Sequence, residues 1–134
     1  MTLVFVAGTD DVGPIVELAS KGPSIETPKI VHLTPKTASK QLLKMPKNTV
    51  ASIRLTQVNG EIIEFPYSME FFAKYRPDLF ILLECKRDDQ AQHRINTHLA
   101  LMSNAKAIKI IKMDRDNIKK VLLDIRKTLA QVLE

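Results

Sequence analysis

The chain has 134 residues, with 20 Lys and Arg against 15 Asp and Glu, for a net charge of +5. Its 45% apolar and 26% charged residues are the balance of one folded domain, and apolar runs such as Leu79-Phe80-Ile81-Leu82-Leu83 are far too short to span a bilayer. The start, Met1-Thr2-Leu3-Val4, lacks the basic opening of a secretory leader, and a lone Cys85 excludes a disulfide framework or a cysteine-rich zinc site. The expectation is therefore a reducing compartment, cytoplasmic or nuclear, with no membrane contact. The positive balance favours acidic partners only mildly, because the basic residues are spread along the chain.

All seven prolines and all four glycines precede residue 78, so the first half is cut into short pieces and the second can form long elements. Leu3 to Ala7 reads as a buried strand ended by Gly8. Pro14 to Ser20 reads as a helix, since Ile15, Leu18 and Ala19 share a face and proline suits the first helical position. Lys29 to Leu33 is a second strand, and a short helix follows near Ala38 to Lys44. Thr49 to Gln57 and Glu61 to Phe65 are β-rich runs on either side of Val58-Asn59-Gly60, and Asn-Gly between such runs predicts an antiparallel hairpin. Met69 to Tyr75 reads as a short helix or irregular turn.

Leu79 to Glu84 is apolar on both faces, as a central parallel strand is. Ala91 to Met102 is helical with Ile95, Leu99 and Met102 on one stripe, and Ala107 to Ile111 is a further strand. Asn117 to Leu133 carries the clearest helical period, through Ile118, Val121, Leu122, Ile125, Leu129 and Val132, with Asp116 as its expected cap. Alternation of this kind predicts a single three-layer α/β domain, with a mostly parallel sheet, one antiparallel hairpin and helices on both faces.

Gly8-Thr9-Asp10-Asp11-Val12-Gly13-Pro14-Ile15 lies between a strand and a helix with the GxxxxG spacing of a phosphate-binding loop. That motif continues with a lysine for the phosphates and a hydroxyl for Mg²⁺. Pro14 and Ile15 stand there instead, and Asp10 and Asp11 add negative charge where phosphate would sit. A strand-turn-helix corner needs no more than the two glycines and the proline.

In order of elements the chain resembles the small Ras-like GTPases. The hairpin around Asn59-Gly60 is similar to that family's antiparallel hairpin, and Tyr75-Arg76-Pro77-Asp78-Leu79 to the entry of its central strand. Ile111-Lys112-Met113-Asp114 resembles the base-reading NKxD motif with the asparagine replaced, so the resemblance makes Lys112 and Asp114 the degenerate counterparts of its guanine contacts. Where the family has its DxxG switch, this chain reads Pro66-Tyr67-Ser68-Met69. The family also has one more strand-helix unit near its C-terminus. The resemblance implies a pseudo-GTPase: Gly8 and Gly13 are relics of a phosphate loop, no cofactor is expected, and the module acts through protein contacts. It also places the partner-facing region at 66–76, the most aromatic stretch, with Tyr67, Phe71, Phe72, Tyr75 and Arg76 as contact residues, types common in binding hot spots.

Two other readings stand beside this one. Glu84-Cys85-Lys86, closing a strand that begins at Pro77-Asp78, invites comparison with the PD-(D/E)xK nucleases, with Glu84 holding a metal and Lys86 steadying water on the same side of an extended strand. Asp78 lies six residues earlier, roughly 20 Å away along a strand, so Glu61 or Glu64 would have to supply the second ligand. The alternative is a Rossmann-like domain that binds a nucleotide or small metabolite at the carboxyl ends of its strands. The three histidines form no metal set: His93 and His98 are five apart on a helix, and His32 lies on a strand face. With two tyrosines and five phenylalanines, the chain lacks the aromatic-basic pattern of single-strand RNA readers, so nucleic acid is a weakly supported partner.

Overall fold

The structure, a computed structural model, describes residues 2–21, 28–34, 38–42, 48–55 and 69–133. In chain order the elements are β1 (Thr2–Gly8), α1 (Gly13–Ser20), β2 (Lys29–Leu33), α2 (Ala38–Gln41), β3 (Asn48–Arg54), α3 (Met69–Lys74), β4 (Leu79–Cys85), α4 (Gln90–Met102), β5 (Ala107–Met113), a 3₁₀ turn (Arg115–Asn117) and α5 (Ile118–Val132). Among the described residues the strands form one five-stranded sheet in the order β2-β3-β1-β4-β5. Every pairing among the described residues is parallel, with Thr2 beside Asn48, Val4 beside Leu79 and Leu79 beside Ala107.

Alternation along the strands sends apolar side chains to both faces, which is why the central strands read as continuous hydrophobic runs. One face packs Val4, Val6, Val50, Ile81 and Leu83 against Val16 and Ala19 of α1 and Val121, Ile125 and Leu129 of α5. The other packs Phe5, Ala7, Ile53, Phe80 and Leu82 against Leu42 beyond α2, Phe71 and Phe72 of α3 and Leu99 of α4. Helices therefore cover both faces of a parallel sheet, the three-layer α/β arrangement the sequence predicts. Each fully buried Leu, Ile or Phe contributes about 1.5–3 kcal/mol of burial free energy.

Among the described residues the sheet shows no antiparallel hairpin. β3 lies between β1 and β2 and is hydrogen-bonded in parallel to both, so its 49–53 stretch has no edge for a returning strand. The Asn59-Gly60 turn and the Glu61–Phe65 arm lie outside the described residues. Two smaller expectations are also corrected. Asp114, not Asp116, caps the turn that leads into α5, its carboxylate accepting the Asp116 N–H at 3.0 Å. In α4 the stripe toward the sheet is Gln92, Asn96, Leu99 and Ala100, with Ile95 and Met102 half-buried at its flanks.

Candidate functional site

β1 and β4 are neighbours, yet β1 leads to α1 on one face and β4 leads to α4 on the other. The chain thus leaves adjacent strands in opposite directions and opens a crevice at their carboxyl ends, the place where open α/β sheets bind ligands. A cleft of about 290 Å³ lies there, lined by Asp10 after β1, by Cys85, Lys86 and Arg87 at the end of β4, and by Met113 to Asp116 at the end of β5.

Asp10 is buried at the centre of this crevice. Its Oδ1 accepts from Arg115 Nη2 at 2.9 Å and lies 2.8 Å from Arg87 Nη2, while Cys85 Sγ donates to Oδ2 at 3.5 Å. Arg87 Nη2 also donates to the Thr9 carbonyl at 3.0 Å. Two guanidiniums on one carboxylate oxygen tie the β1, β4 and β5 loops together. Behind Asp10 lies a second buried layer. Thr9 Oγ1 donates to Asp88 Oδ1 at 2.8 Å, Asn96 Nδ2 donates to Asp88 Oδ2 at 3.4 Å, and Gln92 Nε2 donates to Asn96 Oδ1 at 2.8 Å. The polar end of the α4 stripe thus serves a buried acid. Burial above all pushes the Cys85 thiol above its ordinary range; the Thr9 hydroxyl opposes this, and the charges of Asp10 and Asp88 reinforce it.

Gly8 permits this crowding at the end of β1. A Cβ on Gly8 would come within 3.0 Å of Val12 Cγ1 and 3.3 Å of the Leu83 carbonyl oxygen, so the corner is built on close backbone approach. Gly13 begins α1, and Pro14 occupies its first turn, as expected from its fixed φ and missing N–H. Ile15 is buried against the sheet. Lys112 is exposed and Asp114 is spent on its cap, and both stand at the end of β5 with Met113 between them in the core.

The other sequence candidates are dispersed. Phe71, Phe72 and Tyr75 are buried in the core beneath the sheet, so they do not form the expected partner-facing surface. Phe71 packs 5.4 Å from Phe72 and 5.2 Å from Tyr75 between ring centroids, and Phe5 joins the cluster. Aromatic side chains at this spacing satisfy themselves by covering the sheet. Arg76 is exposed, and its Nε donates to the Asn104 carbonyl at 2.6 Å, where Asn104 takes φ 55° at the end of α4. Tyr67 lies outside the described residues. Lys86 begins the turn after β4 and does not continue the strand, so it does not share the Glu84 side of an extended chain, and Glu84 faces His93 at 3.5 Å. Asp78 sits at the opposite end of β4, accepting the Leu3 N–H and the Lys106 ammonium, both at 2.9 Å. Glu61 and Glu64 lie outside the described residues.

The structure also joins three residues that no motif connects. His32 Nδ1 is 2.6 Å from Ser52 Oγ and His32 Nε2 is 2.9 Å from Glu17 Oε1. His32 and Ser52 are register partners on adjacent strands, and Glu17 comes from α1 above them. Ser52 is buried with its hydroxyl directed at the imidazole, so the trio ties α1 to the β2–β3 side of the sheet. Among the described residues no group of three His, Cys, Asp or Glu side chains is placed to hold a metal ion, and no helix is long and apolar enough to cross a membrane.

No protein-family model matches the sequence, and a comparison with curated proteins finds no relative.

Proposed function

We propose that the chain is a non-catalytic module of GTPase-like build that acts by holding protein partners. The observation that carries this reading is Asp10. In a phosphate-binding corner the loop after the first strand offers backbone N–H groups and a lysine to an anion. In this chain the same loop brings its own anion. The Asp10 carboxylate is buried there and engaged by Arg87 and Arg115, the groups that would otherwise be available to a phosphate. Pro14 and Ile15, where lysine and hydroxyl would stand, offer neither an ammonium nor an oxygen.

Isothermal titration calorimetry with GTP and GDP, with and without Mg²⁺, tests the reading. The expected result is affinity weaker than about 1 mM, which corresponds to a binding free energy smaller than about 4 kcal/mol. A micromolar GTP affinity would overturn it.

One observation favours a second reading, a small-metabolite site. Arg87, Arg115 and Lys86 converge on a cleft at the point where the loops diverge, and a carboxylate or phosphate ligand that displaced Asp10 would find both guanidiniums already in place. Calorimetry with inorganic phosphate and simple dicarboxylates separates the two: saturable millimolar-or-better binding that is lost in Arg87→Ala belongs to this second reading.

A further inference from the structure

The hydrogen bonds that join Glu17, His32 and Ser52 have a direction. A glutamate carboxylate only accepts, so His32 Nε2, 2.9 Å from Glu17 Oε1, carries the ring hydrogen. A neutral imidazole with its hydrogen on Nε2 keeps a lone pair on Nδ1, and that nitrogen lies 2.6 Å from Ser52 Oγ. The Ser52 hydroxyl therefore donates to a base whose far side is held by a carboxylate. Hydroxyl on base and base on orienting acid is the arrangement that activates a serine nucleophile. Other described hydroxyls are engaged differently. Ser103 Oγ donates to the Ala100 carbonyl, Thr128 Oγ1 to the Asp124 carbonyl and Thr9 Oγ1 to the Asp88 carboxylate. Carbonyls and carboxylates are too weakly basic to hold such a proton at neutral pH, whereas an imidazole can.

The trio opens on a space. Among the described residues a cleft of about 360 Å³ is lined by all three side chains, with Val12, Pro14 and Leu33 as apolar walls. Ser52 lies two residues beyond Val50 on β3 and so shares its face, the one covered by α1. Asp11 and Glu17 against Arg54 leave the lining without a positive excess, so nothing in it draws an anion. Gly13 keeps the ring accessible: a Cβ there would meet His32 Nδ1 at 3.3 Å and press on the atom that receives the proton. Gly13 also begins α1 and lines the cleft, which sets the positive end of the helix dipole beside the oxygen that becomes negative on attack.

We propose that this cleft is an acyl-transfer site for small uncharged esters, with Ser52 as nucleophile, His32 as general base and Glu17 as the residue that positions the ring. Ser52 Oγ bonds to the ester carbonyl carbon while its proton passes to His32 Nδ1. The carbon–oxygen bond to the alcohol then breaks, and the alcohol leaves with that proton, so the acyl group stays on Ser52. A water gives its proton to Nδ1 and its oxygen to the acyl carbon; the acid departs and the serine hydroxyl is restored. The balance is one ester and one water to one acid and one alcohol. On this proposal the chain is non-catalytic toward nucleotides only, since the Gly8–Gly13 corner keeps its own carboxylate and the acyl chemistry belongs to the β2 side of α1.

The test treats the full chain with an alkyl fluorophosphonate, which phosphonylates activated serines and releases fluoride, and maps the adduct by mass spectrometry. One adduct per chain is expected, on Ser52, with Ser103 unmodified as the internal control. Labelling is expected to disappear in urea and to slow at least about 100-fold in His32→Ala, with partial recovery on addition of free imidazole. Glu17→Gln keeps an oxygen acceptor and loses the charge; it is expected to lower the maximal labelling rate at least about tenfold while the half-saturating probe concentration stays the same. Hydrolysis of p-nitrophenyl butyrate is expected to follow the same order and to be lost in Ser52→Ala. The proposal is overturned if the folded chain takes no label, or if Ser103 is labelled as readily as Ser52. It is also overturned if Ser52→Ala hydrolyses the butyrate ester at the full rate, or if imidazole restores nothing to His32→Ala, since the trio would then be only a structural tie. The first two results come from the unsubstituted chain and do not depend on any variant folding. None of these outcomes bears on GTP affinity, so this site and the pseudo-GTPase corner fail separately.

Discussion

Replacing Asp10 by alanine is the sharpest perturbation of the crevice. The carboxylate is buried, is ion-paired with Arg87 at 2.8 Å and accepts from Arg115 at 2.9 Å, and breaking a fully buried pair costs about 3–5 kcal/mol. That ceiling is not reached here, because the Arg87 and Arg115 side chains are 47% and 75% exposed and water can solvate both once they are released. Discounted for that screening, the Arg87 contact contributes about 1–1.5 kcal/mol and the Arg115 contact about 0.5 kcal/mol. Asp10→Ala is therefore expected to lose about 2 kcal/mol. For a domain of this size that is a fall of about 6–10 °C in melting temperature. Urea denaturation of Asp10→Ala, Arg87→Ala, Arg115→Ala and the two double variants measures the coupling directly. The coupling to Arg87 is expected to exceed the coupling to Arg115. A loss below about 0.5 kcal/mol for Asp10→Ala, or the reverse order of couplings, would refute the view that Asp10 is the internal anion on which the three loops close.

Phe72→Ala removes a fully buried ring from the α3 side of the core and is expected to cost about 3–5 kcal/mol by chemical denaturation; a change under about 1 kcal/mol would return the aromatic segment to the surface. Burial would raise the Asp78 carboxyl, but the Leu3 N–H and the Lys106 ammonium outweigh it and hold the group below its ordinary value. A carboxylate depressed in the folded state binds fewer protons there than when unfolded, so its stabilising contribution is present above about pH 4 and is lost as pH falls through the folded value. Asp78→Asn is accordingly expected to lower stability at pH 7 and to converge with the unsubstituted chain in acid, as followed by urea midpoints across pH 2–7. Cys85, buried and held protonated, is expected to react with iodoacetamide at least about 100-fold more slowly in the folded chain than in urea, as read by mass spectrometry.

What the sequence made legible follows from how local each signal is. α5 and β4 were readable because their apolar period is a property of the segment itself, and the parallel sheet followed from strands separated by helices. Asn59-Gly60 is an equally local signal, but whether Thr49 onward has a free edge depends on β1 and β2, which occupy both of its sides. Phe71, Phe72 and Tyr75 carried no mark of their side, since aromatic residues serve cores and interfaces alike. The crevice was hardest to foresee. Asp10 and Arg115 are 105 residues apart and Thr9 and Asp88 are 79 apart, so their meeting is a product of strand order. Gln92 and Asn96 offered a faint signal, because their four-residue spacing continues the stripe of Leu99 toward the sheet.

The central claim is that the β1–α1 corner is closed by its own carboxylate and takes no nucleotide. Amide chemical shifts of Gly8, Thr9, Asp10, Asp11 and Gly13, followed by ¹⁵N NMR during a titration with GTP and Mg²⁺, test it at the residues concerned. These resonances are expected to stay in place up to about 1 mM nucleotide. Saturable shifts at these five amides at micromolar GTP would contradict the account.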